Sequence, residues 1–376
     1  MALMTVLFSV SVLVYFWHAR GKSLHVFPLS LWILLGWIIA STAWSVGPGD
    51  TFKRGILTVL TTFLAYTSAQ ALGVERTIKV STKVLIFLCI VSFLSCLVVK
   101  NAIHQPGDAA EVVGDWRGLF PHKNNTGAYC VIALLALVSP SRPTRPLYAL
   151  LLALPIFGLL VMTGSKTSLF LFIPALLVLL AVNKALKLSD GKITLMKTLL
   201  VMIAFSLISG TLLSSYLIEI LNDPTTLTNR AMIWQVLFAA IGDRPLQGVG
   251  FSAFWNTPSN PYVTGQFVYI AELTQGHNGY IDVTAAIGLV GLILALFALF
   301  VVPVRDGIFV WRAESASIPF LFSVISFFFM HNFTESSLLR TSIGTWLIFC
   351  LIIGCTYTAR LAIPGKLPRQ ARMPFS

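Results

Sequence analysis

Two short segments of this chain contain acid–base side chains at spacings that could support catalysis. One contains His277, whose imidazole can accept a proton near neutral pH, and Asp282 five residues later. The other contains His331 and Glu335, four residues apart. A metal would need a third ligand at a recognisable spacing, so we expect no metal and no other cofactor. His277 is the candidate catalytic base, with Asp282 or Glu335 as its orienting partner or substitute; Asp282 could equally be a structural partner.

The segment 117–127 places positive charge and amides directly before an apolar run. It reads Arg117-Gly-Leu-Phe-Pro-His-Lys-Asn-Asn-Thr-Gly127. Arginine and a helix N-terminus both favour phosphate. We therefore predict an anion-binding mouth, with a polar loop that only caps a helix as the alternative. Its candidate substrate-binding residues are Arg117, His122, Lys123 and Asn125.

Lys166, Arg230 and Arg340 are further cations that we assign to the same face and to substrate binding. Arg230 lies in the first turn of a segment, 228–242, whose apolar residues recur at helical spacing but which is too short to span a bilayer. We predict that it forms a helix along the membrane interface with its apolar face down. Arg230 then either binds a lipid phosphate or snorkels as an ordinary interfacial arginine.

His277 also begins a pattern of small residues. On one continuous helix, His277, Thr284, Gly288 and Gly291 would lie within about 40° of one another. Small residues let a neighbouring helix pack closely. The pattern therefore predicts a rigidly held histidine at the mouth of a helix.

The composition indicates what kind of scaffold positions these residues. The chain has 376 residues, of which 56% are hydrophobic and 11% charged, whereas soluble domains carry about 25% charged residues. We predict an all-α, polytopic membrane protein with about 11 transmembrane helices, or 12 if a first helix is missing. The five cysteines lie in apolar runs and are interpreted as helix residues. The predicted spans are 2–17, 28–45, 55–72, 84–99, 126–140, 147–163, 167–183, 197–217, 278–303, 317–331 and 341–359.

Positive charge is unevenly distributed between alternate loops. One face holds 17 of the 26 lysines and arginines, and the positive-inside rule places that face in the cytoplasm, together with the C-terminus. The formal charge of +12 is therefore a topology signal and a contact for the lipid bilayer. We expect no nucleic-acid partner, because the basic loops are short and carry few aromatic residues for stacking.

We expect a single integral membrane domain over 1–376, with no cleaved signal peptide. Two predicted extracytoplasmic loops, 100–125 and 218–277, are much longer than the others. Long loops often carry function, and many of the candidate residues lie in or beside these two.

The order of these motifs resembles the O-antigen ligase superfamily, which includes bacterial exopolysaccharide polymerases. The best match is His277-Asn278, then nine residues, then Gly288-x-x-Gly291; the Thr-x-Trp that usually follows in ligases is absent. Lys166 stands where the family often has arginine. The resemblance spans about 90–360 and adds Trp234, Asn278 and Tyr280 to the substrate-binding candidates. Polymerase-like segments are Arg117-Gly-Leu-Phe-x-His-Lys-Asn124, Arg230-x-x-x-Trp234, Gly248-x-Gly250, His277-Asn-Gly-Tyr-x-Asp282 and Asn332-x-x-Glu335-Ser.

The resemblance implies a metal-independent glycosyltransferase of the bacterial inner membrane with a periplasmic active site. Its donor would be an oligosaccharide on undecaprenyl diphosphate, and its acceptor another glycan in a polymerase or lipid A–core in a ligase. We favour a polymerase because Thr-x-Trp is missing and the His-Lys-Asn loop is present. Arg230, Arg117 and Lys166 or Arg340 would hold the diphosphate while His277 removes the acceptor proton, with inversion at the sugar.

A transporter or flippase is the alternative from a different functional class. It would be expected to have broken helices near the midplane and related halves, and the sequence shows neither clearly. A structural subunit of a polysaccharide assembly complex is a third reading, and other assembly proteins are candidate partners.

Overall fold

The computed structural model describes most of the chain. The described residues are 25–108, 112–188, 230–255, 257, 260–263, 273–311, 313, 316–340 and 344–363. Two predicted spans, 2–17 and 197–217, lie outside the described residues, as does part of the predicted loop 218–277.

The described residues form helices joined by turns and irregular segments, which confirms the all-α prediction. Short 3₁₀ turns occur at Ser41–Trp44 and Lys100–Ala102, and a π-helical segment, Phe297–Val301, joins the helices Gly279–Leu296 and Val302–Phe309. The helices are α1 Leu29–Ala40, α2 Pro48–Leu72, α3 Val74–Val98, α4 Lys123–Val138, α5 Pro146–Met162, α6 Lys166–Ala185, α7 Arg230–Asp243, α8 Gly279–Leu296, α9 Val302–Phe309, α10 Ile318–His331 and α11 Gly344–Leu361.

A helix lies at every predicted span that falls in the described residues. Those long and apolar enough to cross a membrane are Pro48–Leu72, Val74–Val98, Lys166–Ala185, Gly279–Phe309 and Gly344–Leu361. Shorter apolar helices occupy Leu29–Trp44, Pro146–Met162 and Ile318–His331. The chain is a membrane protein, and the total of 11 or 12 spans stays a prediction.

Helix α8 is broken at Gly288, where the backbone adopts φ +73° and ψ 178°. An irregular segment, 245–250, crosses the helix at this point. On one side of the break, the Val249 and Gly250 N–H groups donate to Ala285 and Ala286 at 2.9 Å. No sequence pattern indicates this break clearly, because a glycine in an apolar run also fits an unbroken, closely packed helix.

The rest of the break is paired as well. On its other side, the Leu289 N–H donates to the Pro245 carbonyl at 2.8 Å. The remaining carbonyl, that of Ile287, accepts from the Trp37 indole at 2.9 Å. Irregular backbone is tolerated inside a membrane protein where its polar groups are paired with protein in this way.

Helix α7 packs differently from the prediction. Its residues Ile233, Leu237 and Ala240 are buried in a cluster with Val249, Phe254, Trp255 and Ala285. The apolar face that we expected to lie on the bilayer therefore packs against the crossing segment and α8. Helical spacing identifies an apolar face but does not say whether lipid or protein covers it.

We predict that Gly288→Ala destabilises the protein by about 2 kcal/mol or more. A residue with a Cβ is strained at this φ, and the added methyl group would overlap the backbone of Leu246. Thermal unfolding of detergent-solubilised protein measures the effect. Gly36→Ala is the control, since a Cβ added at Gly36, in α1, would have no other atom within 4 Å. Equal unfolding temperatures for the two variants would contradict the proposed role of the break.

Candidate active site

His277 lies in the turn before α8 with a left-handed backbone, at φ +54°. Such a conformation is strained for a non-glycine residue and persists where neighbours hold it. The Trp234 indole donates to the Gly276 carbonyl at 2.7 Å. The Gly276 N–H donates to both carboxylate oxygens of Asp282, at 2.9 and 3.1 Å. The residue before His277 is therefore fixed from both sides, which sets the direction of the histidine side chain.

Asn278 and Tyr280 are engaged within the protein. The Asn278 side-chain oxygen caps α8 by accepting from the N–H groups of Tyr280 and Ile281, each at 3.1 Å. The Tyr280 hydroxyl donates to the Phe329 carbonyl at 2.6 Å. Because α8 begins after His277 and breaks at Gly288, the predicted continuous stripe is wrong.

Glu335 is buried beside His277. Its Oε2 atom lies 3.5 Å from His277 Nδ1, and its Oε1 atom accepts from Asn124 Nδ2 at 2.7 Å. His277 Nδ1 is buried and has no hydrogen-bond partner among the described residues. Catalytic hydrogen bonds are often long before substrate binds. A small ring rotation would let Nδ1–H donate to Glu335 and leave Nε2 as the basic atom.

The loop that carries Glu335 is joined directly to the start of α8. The Gly279 N–H lies 2.8 and 3.1 Å from the carbonyls of Asn332 and Glu335. The buried Asn332 side-chain oxygen accepts from the N–H groups of Ser337 and Leu338 at 2.9 and 3.0 Å. These bonds bring Glu335 to His277, although the two are 58 residues apart in the sequence.

Asp282 is surrounded by donors. In addition to the Gly276 N–H, it accepts from the Trp255 indole at 2.9 Å and from the Ser336 hydroxyl. Both of its oxygens therefore hold neighbouring segments: the His277 turn, the stretch that follows the crossing segment and contains Trp255, and the Glu335 loop. This geometry favours a positioning role over direct proton transfer.

His122 caps α4 and is held as a neutral ring. Its Nδ1 accepts from the Asn124 N–H at 3.2 Å. Burial lowers the pKa of His122 to about 4, and the charge of Glu335 only partly opposes this effect. The ring centroid lies 5.4 Å from that of His104, which is buried and bonds Asp108 through Nδ1 at 2.7 Å. His122 therefore adds no positive charge at neutral pH.

The two other cations of the 117–127 segment have partners within the same loop. Lys123 pairs with Asp115. Arg117 donates to the Asn101 carbonyl at 3.0 Å and lies 3.7 Å from Asp108. The loop is consequently folded around its own charges, so its positive charge is largely compensated. This favours the alternative of a polar, helix-capping loop over the predicted anion-binding mouth.

Arg340 instead lies near a second arginine that sequence reasoning missed. The Arg340 guanidinium donates to the Gln275 side chain, and burial lowers its pKa, opposed by Asp282 and Glu335 and reinforced by Arg54. Arg54, in α2, donates to the carbonyl and hydroxyl oxygens of Ser252 at 2.8 and 3.1 Å. Two cations therefore approach each other beside the carboxylates of the site.

Three predicted substrate-binding residues remain to be located: Lys166, Arg230 and Asn125. Lys166 is exposed at the first residue of α6, and the adjoining Gly164 lies against Asp115. Helix α7 begins at Arg230, but the Arg230 side chain lies outside the described residues. Asn125 is partly exposed next to Asn124. No three His, Cys, Asp or Glu side chains converge as metal ligands in the described part of the chain.

Comparison with protein families gives one match. The family model described as O-antigen ligase matches residues 149–296. The resemblance to the O-antigen ligase superfamily is confirmed. The matched stretch contains His277, Asp282 and the break at Gly288, but neither Asn124 nor Glu335. A search of curated proteins found no match.

The sequence analysis assigned no role to three residues at or beside this site: Arg54, Asn124 and His104. Arg54 lies at the edge of a predicted span, where an arginine is an ordinary topology signal. Asn124 ends a polymerase-like segment, yet nothing in the sequence indicates that its side chain contacts Glu335. The partners of all three are distant in sequence or depend on loop folding, so their roles emerge only in three dimensions.

We predict that His122 makes the protein less stable as the pH falls from about 6.5 to about 4. In this window the unfolded chain binds a proton that the folded state excludes, which costs up to about 3 kcal/mol. Thermal unfolding between pH 4 and 7 should show a shallower pH dependence for His122→Gln than for the wild type. His25→Gln, at an exposed histidine, is the control. An unchanged slope in His122→Gln would contradict the neutral, buried ring.

Proposed function

We propose that this protein transfers a glycan from an undecaprenyl-diphosphate carrier to a sugar hydroxyl at the periplasmic face of the bacterial inner membrane. The observation that carries the proposal is the pairing of His277 with the buried Glu335, with Arg54 and Arg340 nearby. A base and a cation pair are what displacement of a diphosphate by a hydroxyl requires. The ligase-family match supports the same reaction class.

His277 is the proposed general base. Glu335 accepts Nδ1–H, so that Nε2 can take the proton of the acceptor hydroxyl as its oxygen attacks the anomeric carbon. The bond between that carbon and the diphosphate breaks, and the diphosphate leaves on the carrier lipid with the electron pair. A single attack from the opposite side inverts the anomeric centre. The His277 side chain is 21% exposed, which leaves room for such contact.

The leaving diphosphate is the proposed ligand of Arg54 and Arg340. Their mutual repulsion in a partly buried place is relieved when an anion binds between them. Arg230 and Lys166 are additional candidates, whereas Arg117 and Lys123 are paired with Asp108 and Asp115. No metal ion is part of this proposal, since arginines can stabilise the diphosphate charge.

The other candidate residues have positioning roles in this scheme. Trp234 and Asp282 hold Gly276, and Asn278 caps α8. Tyr280 joins α8 to the end of α10. His122 and Asn125 remain candidates for contact with the glycan itself.

We favour a polymerase that joins lipid-linked repeats over a ligase that uses lipid A–core. Other polysaccharide assembly proteins are its proposed partners. The reason is the sequence: Leu292 follows Gly291 where ligases usually continue with Thr-x-Trp. The two activities share this donor chemistry and differ in the acceptor. A transporter, by contrast, would leave the lipid-linked glycan chemically unchanged.

We expect purified protein in proteoliposomes to lengthen a lipid-linked repeat unit without ATP or an ion gradient. His277→Ala should lower the rate about 100-fold or more, as expected for loss of a general base, and Glu335→Gln should lower it to a smaller extent. His25→Ala, at an exposed histidine, is the control. Products are sized on gels.

The acceptor dependence separates the candidate functions. Elongation with the repeat unit alone supports a polymerase, and transfer that requires lipid A–core supports a ligase. No covalent product with either acceptor would refute glycosyl transfer and favour transport. A near-normal rate for His277→Ala would refute the assignment of the base.

We also predict that Arg54→Gln raises the KM for the lipid-linked donor about tenfold or more, because a charged hydrogen-bonding partner of the diphosphate is lost. Lys53→Gln is the matched control: it neutralises an exposed cation at the preceding position of α2. Initial rates at varied donor concentration measure the effect. An equal KM for both variants would exclude Arg54 from the diphosphate site.

A further inference from the structure

Asn124 connects the start of α4 to the acid–base pair. Its side-chain amide donates to Glu335 Oε1 at 2.7 Å, across 211 positions of the sequence. The other carboxylate oxygen, Oε2, is the one that lies 3.5 Å from His277 Nδ1. The two oxygens of Glu335 thus have different neighbours: an amide donor on one side and the histidine on the other.

The position of Asn124 is itself fixed. Asn124 is the second residue of α4, and its N–H donates to the side chain of His122, the residue that caps the helix. The following turn is anchored by Thr126, whose hydroxyl donates to the Arg117 carbonyl at 2.6 Å. A side chain held by a capped helix end is a rigid hydrogen-bond donor.

We propose that Asn124 is a positioning residue for glycosyl transfer, which orients the Glu335 carboxylate towards His277 and keeps it ionised. This inference rests on the proposed function. A donor to a carboxylate favours its charged form. It also holds Oε1, while Oε2 is the oxygen that faces His277. Asn124 ends one of the polymerase-like segments, but the resemblance gives it no role, and the family match begins only at residue 149.

The charged and titratable groups around Glu335 come from four parts of the chain. His277 precedes α8, His122 caps α4, His331 ends α10, and Arg340 follows Glu335 in its own loop. The proposed mechanism needs an ionised Glu335 beside His277, so protonation at this pair stops the transfer. Loss of the Asn124 donor leaves the carboxylate less stabilised, so acid should stop the transfer at a higher pH.

The test is the pH profile of glycan transfer by proteoliposomes that contain the full chain. Asn124→Leu removes the donor at similar volume, and Asn124→Asp adds a carboxylate while favouring the helix N-terminus. Both should move the acid limb of kcat to higher pH, by roughly one to two pH units. Asn101→Leu, at an exposed asparagine on the neighbouring loop, is the matched control and should keep the wild-type profile.

The outcomes are distinct. A shifted acid limb in either Asn124 variant, with near-normal rates at high pH, supports the positioning role. A rate that falls evenly at all pH values overturns it. If Asn124→Leu fails to fold, an unchanged profile in Asn124→Asp overturns it as well. An inactive wild type instead refutes the proposed function, so the two failures can be told apart.

Discussion

The constraint on which the site depends is that every backbone polar group within the membrane region must find a partner. At Gly288 the chain breaks a long apolar helix, and the segment 245–250 supplies the missing partners. Trp37 pairs the remaining Ile287 carbonyl. These bonds lock the crossing segment against α8, and with it the residues that follow, up to Trp255, which bonds Asp282. The left-handed turn at His277 is held by the same Asp282. The bonds that stabilise the broken helix therefore also help to set the geometry of the site.

Charge is organised by a second rule, that a buried cation or carboxylate needs a partner. In the loop before α4, Lys123 and Arg117 meet Asp115 and Asp108, and the charges largely cancel. Around Glu335, the neighbours are instead Arg340 and three histidines, of which His122 is neutral, and Arg54 lies near Arg340. The loop therefore has a structural role, and the place where a bound anion would relieve repulsion lies between Arg54 and Arg340.

The sequence was sufficient for properties that depend on local composition. Hydropathy located a helix at each described span, and motif order led to the resemblance that the family match supports. It also named His277 and Glu335 as possible partners, but their proximity depends on the Gly279 and Asn332 bonds, which no local pattern encodes. The same limit explains the errors. A glycine can mark close packing or a break, an apolar face can meet lipid or protein, and a cation in a loop can bind substrate or a neighbouring aspartate.

A broken helix is also what a transporter would use, so the pairing at the break bears on function. In transporters, unwound backbone carbonyls coordinate the transported ion. Here the carbonyls of Ala285, Ala286 and Ile287 accept hydrogen bonds from Val249, Gly250 and Trp37. Their lone pairs face protein donors, so the break offers no ready ion site and serves to seat the crossing segment. The groups suited to react with substrate gather instead around the partly exposed His277, at the end of the bundle where α2, α4 and α8 begin. This separation of a sealed break from a reactive mouth favours chemistry over transport.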